Sequence, residues 1–215
     1  MKFIKIDRSA WNREQYFTHY LKQQTSFSLT CDIDVQKILQ ILKKKRMRFY
    51  PAFIYMVTQI VNGDEVFRTC FNENKELGYW EQMIPSYTIF DNESKMFSSI
   101  WTETTSDFAT FHKQYELDVQ KWNGTEELFP KMPVPPNTFP ISMLPWSHFT
   151  AFNLNINQMD DFLLPIITAG KYIEKYGVLT LPVTIQAHHA VCDGYHATTF
   201  MNKLQFLADQ CENWV

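Results

Sequence analysis

Between Gln186 and His196 the chain reads QAHHAVCDGYH, which sets His188 and His189 side by side and adds Cys192, Asp193 and His196 within eleven residues. Three chemistries use such groups: a metal site, a thiol nucleophile with a histidine base, and a lone imidazole base with helpers. A metal would draw on His188, His189, Asp193 and His196. Neighbouring residues on a strand point to opposite faces, the spacing is not HExxH, and no Cys pair completes a shell, so this reading is disfavoured. Cys192 would share a face with His188 rather than His189 if the strand continued, which favours a packed thiol over a nucleophile. His196 falls in the first turn of a helix, where a structural or solvent-facing role is the ordinary one.

The elements that must position these groups are legible on either side. In VLTLPVTIQAHH the residues Leu179, Leu181, Val183, Ile185 and Ala187 point to one face of a strand, while Thr180, Thr184 and Gln186 point to the other. His189 continues the apolar face and His188 the polar one. A poorly solvated imidazole is held neutral, the state a general base requires, so His189 is the candidate base; the plain alternative is a core histidine satisfied by backbone. Asp193-Gly194 is a turn signal, and Asp193 can cap the terminal helix, whose Phe200, Met201, Leu204, Leu207, Ala208 and Cys211 share one face.

Upstream, FSLTCDIDV alternates as a half-buried strand, and Asp34 can cap the helix VQKILQILKKK, with Lys43, Lys44 and Lys45 at its C-terminal end. Pro51 is placed to start the next helix, which stops at Asn62-Gly63. From Val66 to Thr102 the segments VFRTCFN, ELGYW, PSYTIF and MFSSIW read as strands, and a meander is expected there. Ser106 or Asp107 begins another helix, and PKMPVPPNTFP forces an extended loop before the strand-like ISMLPW and AFNLNI, after which the last third gives LLPIITAGKYI, VLTLPVTIQAHH and the terminal helix. The expectation is an α/β fold, one domain over residues 1–215: a two-layer sandwich of a mixed, largely antiparallel sheet covered by helices.

Composition narrows function further. Twenty Lys plus Arg against 23 Asp plus Glu give a formal net charge of −3, which offers no general attraction for nucleic acid or anionic lipid. Eighteen Phe, ten Tyr and six Trp beside only six Gly supply a large aromatic payload for a core, an interface or an apolar pocket. Four scattered cysteines suit a reducing compartment, MKFIKIDRSAW has no signal-peptide pattern, and no run approaches the ~20 apolar residues of a membrane span. A cytoplasmic protein is expected.

The order His188-His189-Ala190-Val191-Cys192-Asp193-Gly194 fits HHxxxDG, and with Gln186 before it and Tyr195-His196 after it the run resembles the signature of the chloramphenicol acetyltransferase family. It departs at Ala187, where the family usually carries a larger aliphatic residue. The resemblance extends along the chain through Trp11-Asn12-Arg13 with Phe17 and Tyr20, then Phe27-Ser28-Leu29-Thr30 and Phe49-Tyr50-Pro51, and later Ile141-Ser142, Leu144-Pro145-Trp146 and Phe152-Asn153-Leu154-Asn155. It implies a fold like that of CoA-dependent acyltransferases, with acetyl-CoA as co-substrate, no metal, and chloramphenicol as acceptor, whose acetylation confers antibiotic resistance. It implies that His189 is the base, that Ser142 donates to the oxyanion, and that Asp193 pairs with Arg13 to support the site. Tyr20, Phe97, Phe152, Leu154, Ile166 and Thr168 match the family's acceptor pocket, and Lys171 matches a phosphate partner for CoA. His19 departs from an aromatic residue common beside Tyr20, and the loop around Thr25 is one residue shorter than in some relatives. The resemblance also implies a homotrimer with each site at a subunit interface.

Three other readings stay open at this level. The same chemistry on another hydroxyl acceptor is separated by comparing turnover across acceptors. A non-catalytic, drug-sequestering binder would bind without releasing CoA thiol. A metal-dependent hydrolase would lose activity to strong chelators.

Overall fold

The computed structural model describes residues 1–155 and 162–215. The alternation in FSLTCDIDV becomes strand β2 (Ser26–Asp34), paired antiparallel with β10 (Val178–His188) from Thr180 opposite Asp34 to His188 opposite Ser26. On its other side β10 meets β8 (Ile166–Ala169) and the short β9 (Ile173–Lys175), both antiparallel. The sheet continues in parallel to β7 (Thr138–Met143) and β5 (Ile84–Phe90), and ends at β6 (Phe97–Trp101), antiparallel to β5. The order is β2-β10-β8-β7-β5-β6, so the sheet is mixed and largely antiparallel.

Register gives the two faces different chemistry. Leu29, Ile185, Ile167, Ile141, Tyr87 and Ile100 lie level with one another across six strands. The next row, on the opposite face, is Thr30, Thr184, Thr168 and Ser142. The apolar face joins one core with the helices. These are α1 (Glu14–Lys22), α2 (Gln36–Lys45), α3 (Phe49–Asn62), α4 (Phe108–Trp122) and α5 (Gly194–Asp209). Much of the aromatic payload is spent in this core, where Phe17, Phe53, Phe67, Tyr87, Phe108, Phe111, Phe139 and Phe200 are fully buried.

Several expected boundaries hold for the expected reasons. Asp107 caps α4 by accepting from the Thr110 N–H at 2.7 Å; Asp34 accepts from the Gln36 N–H at 2.9 Å, but the N-cap position of α2 is Val35, one residue later than expected, and has no side-chain cap bond. Lys43, Lys44 and Lys45 occupy the last turn of α2. Helix α3 starts two residues before Pro51, which still lies in the first turn, where a missing N–H costs nothing.

Other expectations need correction. The segment from Val66 to Thr102 is not one meander. Its first part forms a 3-10 turn, Glu65–Phe67, capped by Asp64, and then β3 (Thr69–Phe71) and β4 (Leu77–Trp80), which join β1 (Phe3–Lys5) in a separate sheet of order β1-β4-β3. Gly78 permits that pairing, since a Cβ there would sit 2.3 Å from the Ile4 carbonyl oxygen. Only β5 and β6 reach the main sheet. AFNLNI is not a strand over Ala151–Asn155, and Ile156 lies outside the described residues.

Candidate active site

Strand β10 ends at His188, and the chain turns at once: the N–H groups of Val191 and Cys192 both donate to the His188 carbonyl, at 3.2 and 3.1 Å. The alternation that put His189 on a buried apolar face therefore stops one residue too early. His188 is the buried member of the pair, 1% exposed, with its Nδ1 accepting from the Ala190 N–H at 3.1 Å, whereas His189 is half-buried.

His189 is held through both its backbone and its ring. Its N–H donates to the Thr25 carbonyl at 2.8 Å, extending the β2–β10 ladder by one bond, and its own carbonyl accepts from Arg13 Nη2 at 3.1 Å. The ring lies flat on Tyr20, centroids 3.8 Å apart at 10°, with Phe27 edge-on at 5.3 Å. Its Nδ1 is 3.0 Å from the Cys192 carbonyl oxygen. A carbonyl only accepts, so in the neutral ring the proton belongs on Nδ1, and the lone pair is left on Nε2.

Arg13 braces this turn with three bonds: Nη1 to Asp193 Oδ2 at 3.0 Å, Nε to the Ala190 carbonyl at 2.9 Å, and Nη2 to the His189 carbonyl. Asp193 also caps α5, accepting from the Tyr195 N–H at 3.1 Å, and its Oδ1 lies 2.8 Å from His196 Nδ1. Burial alone would raise its carboxyl, but the Arg13 hydrogen bond and the charges of His196 and Arg13 outweigh it and hold the group below the ordinary 3.8. Cys192 is 1% exposed. Burial first, then the charge of Asp193, push its thiol up to about 12, so it packs as a small apolar group.

Ser142 belongs to a second cluster. Its Oγ is 3.1 Å from Thr168 Oγ1, and Thr30 Oγ1 lies 2.7 Å from Thr184 Oγ1 in the same hydroxyl row. Ile166 is level with Gln186 one row away, and the Gln186 side chain binds the backbone of Leu154. Phe152 packs on Phe149 at 5.7 Å. Ser142 and Phe97 both line a cavity of about 680 Å³ together with Arg48, Tyr50, Tyr115 and Trp146. Lys171 is exposed and outside that lining, though the next residue, Tyr172, meets Phe49 at the start of α3 at 6.2 Å.

The structure thus gathers Ser142, Thr168, Ile166, Leu154 and Phe97 around the hydroxyl face, and Arg13, Asp193 and Tyr20 around His189. It does not bring the two groups together within the chain. Ser142 is level with Thr184, five residues before His189 and two strands across, which puts the two residues roughly 15–20 Å apart.

The sequence profile of the chloramphenicol acetyltransferase family matches residues 1–205. The chain belongs to the chloramphenicol acetyltransferase family. A chloramphenicol acetyltransferase of Staphylococcus aureus is 51% identical over the full length of both chains, and one of Clostridium butyricum is 43% identical over 100% of this chain and 99% of its own. A solved chloramphenicol acetyltransferase superposes with a TM-score of 0.85 at 20% identity, covering 96% of this chain and 100% of that one. A probable dihydrolipoamide acetyltransferase from Listeria monocytogenes shares the fold, with a TM-score of 0.64 at 11% identity over 98% and 95% of the two chains. The fold is that of this acyltransferase group, and the chain is an acyltransferase. Among the described residues, no helix is long and apolar enough to cross a membrane.

The residue patterns did not point to one wall of the cavity beside Ser142. Arg48 is the one charged residue on the wall of the cavity among the described residues. Its backbone N–H donates to Nε2 of the buried His112 at 3.0 Å. The signal available was a cation at a helix N-terminus, where the dipole disfavours it.

Proposed function

We propose that this chain acetylates the primary hydroxyl of chloramphenicol with acetyl-CoA by direct transfer, as one domain over residues 1–215. The observation that carries the reading is the bond from His189 Nδ1 to the Cys192 carbonyl, which leaves Nε2 as the free base of a ring already clamped by Tyr20. His189 Nε2 takes the hydroxyl proton as the oxygen attacks the thioester carbonyl. Ser142 Oγ donates to the oxyanion of the tetrahedral intermediate, and the imidazolium returns its proton to the departing CoA thiolate. The products are the acetyl ester and the free thiol, and no acetyl-enzyme forms.

The other residues serve this step in named ways. Arg13 and Asp193 fix the turn that carries His189. Tyr20, Phe97, Phe152, Leu154, Ile166 and Thr168 form the acceptor slot, where apolar and aromatic walls suit a nitrophenyl ring. The cavity behind Ser142 takes the donor, with Arg48 and Lys171 as cations for its phosphates. The separation of His189 from Ser142 supports a site shared between subunits, His189 of one working against Ser142 of its neighbour, and the family resemblance implies that the assembly is a homotrimer. Acetylation of the drug in the cytoplasm would confer resistance on the cell.

The test is release of CoA thiol from acetyl-CoA and chloramphenicol by the native protein and by His189→Ala. Native turnover and a loss of about 10³-fold or more in the variant are expected. Near-native turnover in His189→Ala removes the base from its role, and chloramphenicol binding without thiol release by the native protein favours a sequestering binder. Ser142→Ala loses about 10²-fold or more in kcat.

A further inference from the structure

The residues from Ala151 to Asn155 cross the hydroxyl face of the sheet without joining a strand. Their backbone still needs partners, and a side chain supplies them. Gln186, on β10 and 4% exposed, accepts from the Leu154 N–H through Oε1 at 2.8 Å and donates from Nε2 to the Leu154 carbonyl at 2.6 Å. One carboxamide thus does for Leu154 what a neighbouring peptide unit does in a sheet, because it offers a donor and an acceptor together. Ser28, level with Gln186 on β2, adds a second anchor by donating its hydroxyl to Asn153 Oδ1 at 2.7 Å.

The clamp has a consequence for specificity. Ile166 is level with Gln186 on β8, and Thr168 is the next residue on the same face, so the Gln186 amide sets where Leu154 stands relative to both. An apolar residue at this buried position of β10 would carry no desolvation cost, whereas a buried amide is tolerated only when both of its ends are bonded. Resting on the reading of acetyl transfer to chloramphenicol, we infer that Gln186 is a positioning residue of the acceptor pocket, fixing the Leu154 wall against Ile166 and Thr168 through two backbone hydrogen bonds.

The experiment measures the KM for chloramphenicol and the KM for acetyl-CoA separately on the full chain, for the native protein, Gln186→Leu and Gln186→Glu. Gln186→Leu is expected to raise the chloramphenicol KM about 10-fold or more, with the acetyl-CoA KM within about two-fold of native. In Gln186→Glu the carboxylate can still accept from the Leu154 N–H but cannot donate to the Leu154 carbonyl, and protonation restores the donor. Its chloramphenicol KM, taken relative to native at the same pH, should therefore be raised at about pH 8 and fall toward one at about pH 6. The same ratio for Gln186→Leu should not move with pH. The inference is overturned if both KM values rise together, or if the Gln186→Glu ratio is one at both pH values; should Gln186→Leu fail to fold, the Gln186→Glu ratio decides. Absence of chloramphenicol-dependent thiol release from the native protein would instead remove the acetyl-transfer reading itself.

Discussion

Tyr20 lies face to face with His189, their ring centroids 3.8 Å apart and their planes 10° from parallel. The imidazole is therefore held by a surface as well as by its Nδ1 bond, and a surface of the same shape should hold it equally well. Tyr20→Phe is expected to keep kcat within about three-fold of native. Tyr20→Ala, which leaves the ring free to tilt about its one remaining bond, should lose about 10-fold or more. Steady-state kcat at saturating acetyl-CoA separates the two, and equal losses would mean that the phenol oxygen matters and not the stack.

Arg13 makes three bonds to the turn after β10 with a side chain only 15% exposed. Arg13→Ala should cost about 2–3 kcal/mol of stability and lower kcat about 10²-fold, since His189 loses the brace on its own carbonyl. The pair with Asp193 also predicts a pH dependence. The Asp193 carboxyl is held below its ordinary 3.8 in the folded protein, so its contribution is present above that value and is lost as pH falls through the lower folded one. The difference in Tm between native protein and Asp193→Asn should be constant at neutral pH and shrink as the pH drops below about 4. A difference that does not change over that range would show that the pair contributes nothing as a pair.

Cys192 sits three residues from the proposed base, yet its thiol is buried and pushed up to about 12. Thiolate is then a negligible fraction at neutral pH, so alkylating reagents should leave Cys192 unlabelled in the folded protein and label it on denaturation. Cys192→Ala should retain turnover within a few-fold of native while losing about 1 kcal/mol of stability for the small cavity. Peptide mass analysis after labelling reads the first outcome, and activity loss on labelling of the native fold would reopen the nucleophile reading.

Much of this site was legible because short-range rules act on it. The HHxxxDG order carried the family resemblance, the Asp193-Gly194 turn signal gave the cap of α5, and strand alternation set His188 and His189 apart. Their environments did not follow, because alternation holds only while the strand lasts, and the carbonyl of His188 takes two turn bonds that end it. Long-range placement was also hidden. Strands β3 and β4 look like the start of a meander until β1, more than seventy residues away, pairs with β4. The cavity wall is built from α3, α4, β5, β6, β7 and the loop after it, elements far apart in the chain, so no local pattern pointed to Arg48.

The roughly 15–20 Å between His189 and Ser142 within a chain yields a test that no single variant provides. If each site joins His189 of one subunit to Ser142 of the next, two inactive variants should repair one another. A His189→Ala subunit still offers an intact Ser142, and a Ser142→Ala subunit an intact His189. Refolding the two together in equal amounts allows random assortment. Half of the subunits carry the native base and half of their neighbours carry the native serine, so about a quarter of the sites are wholly native. Thiol release by the mixture should reach about a quarter of the native rate, far above either variant alone. If both residues instead serve the same site within one chain, each site keeps its own defect, and the refolded mixture will show only the average of the two variants.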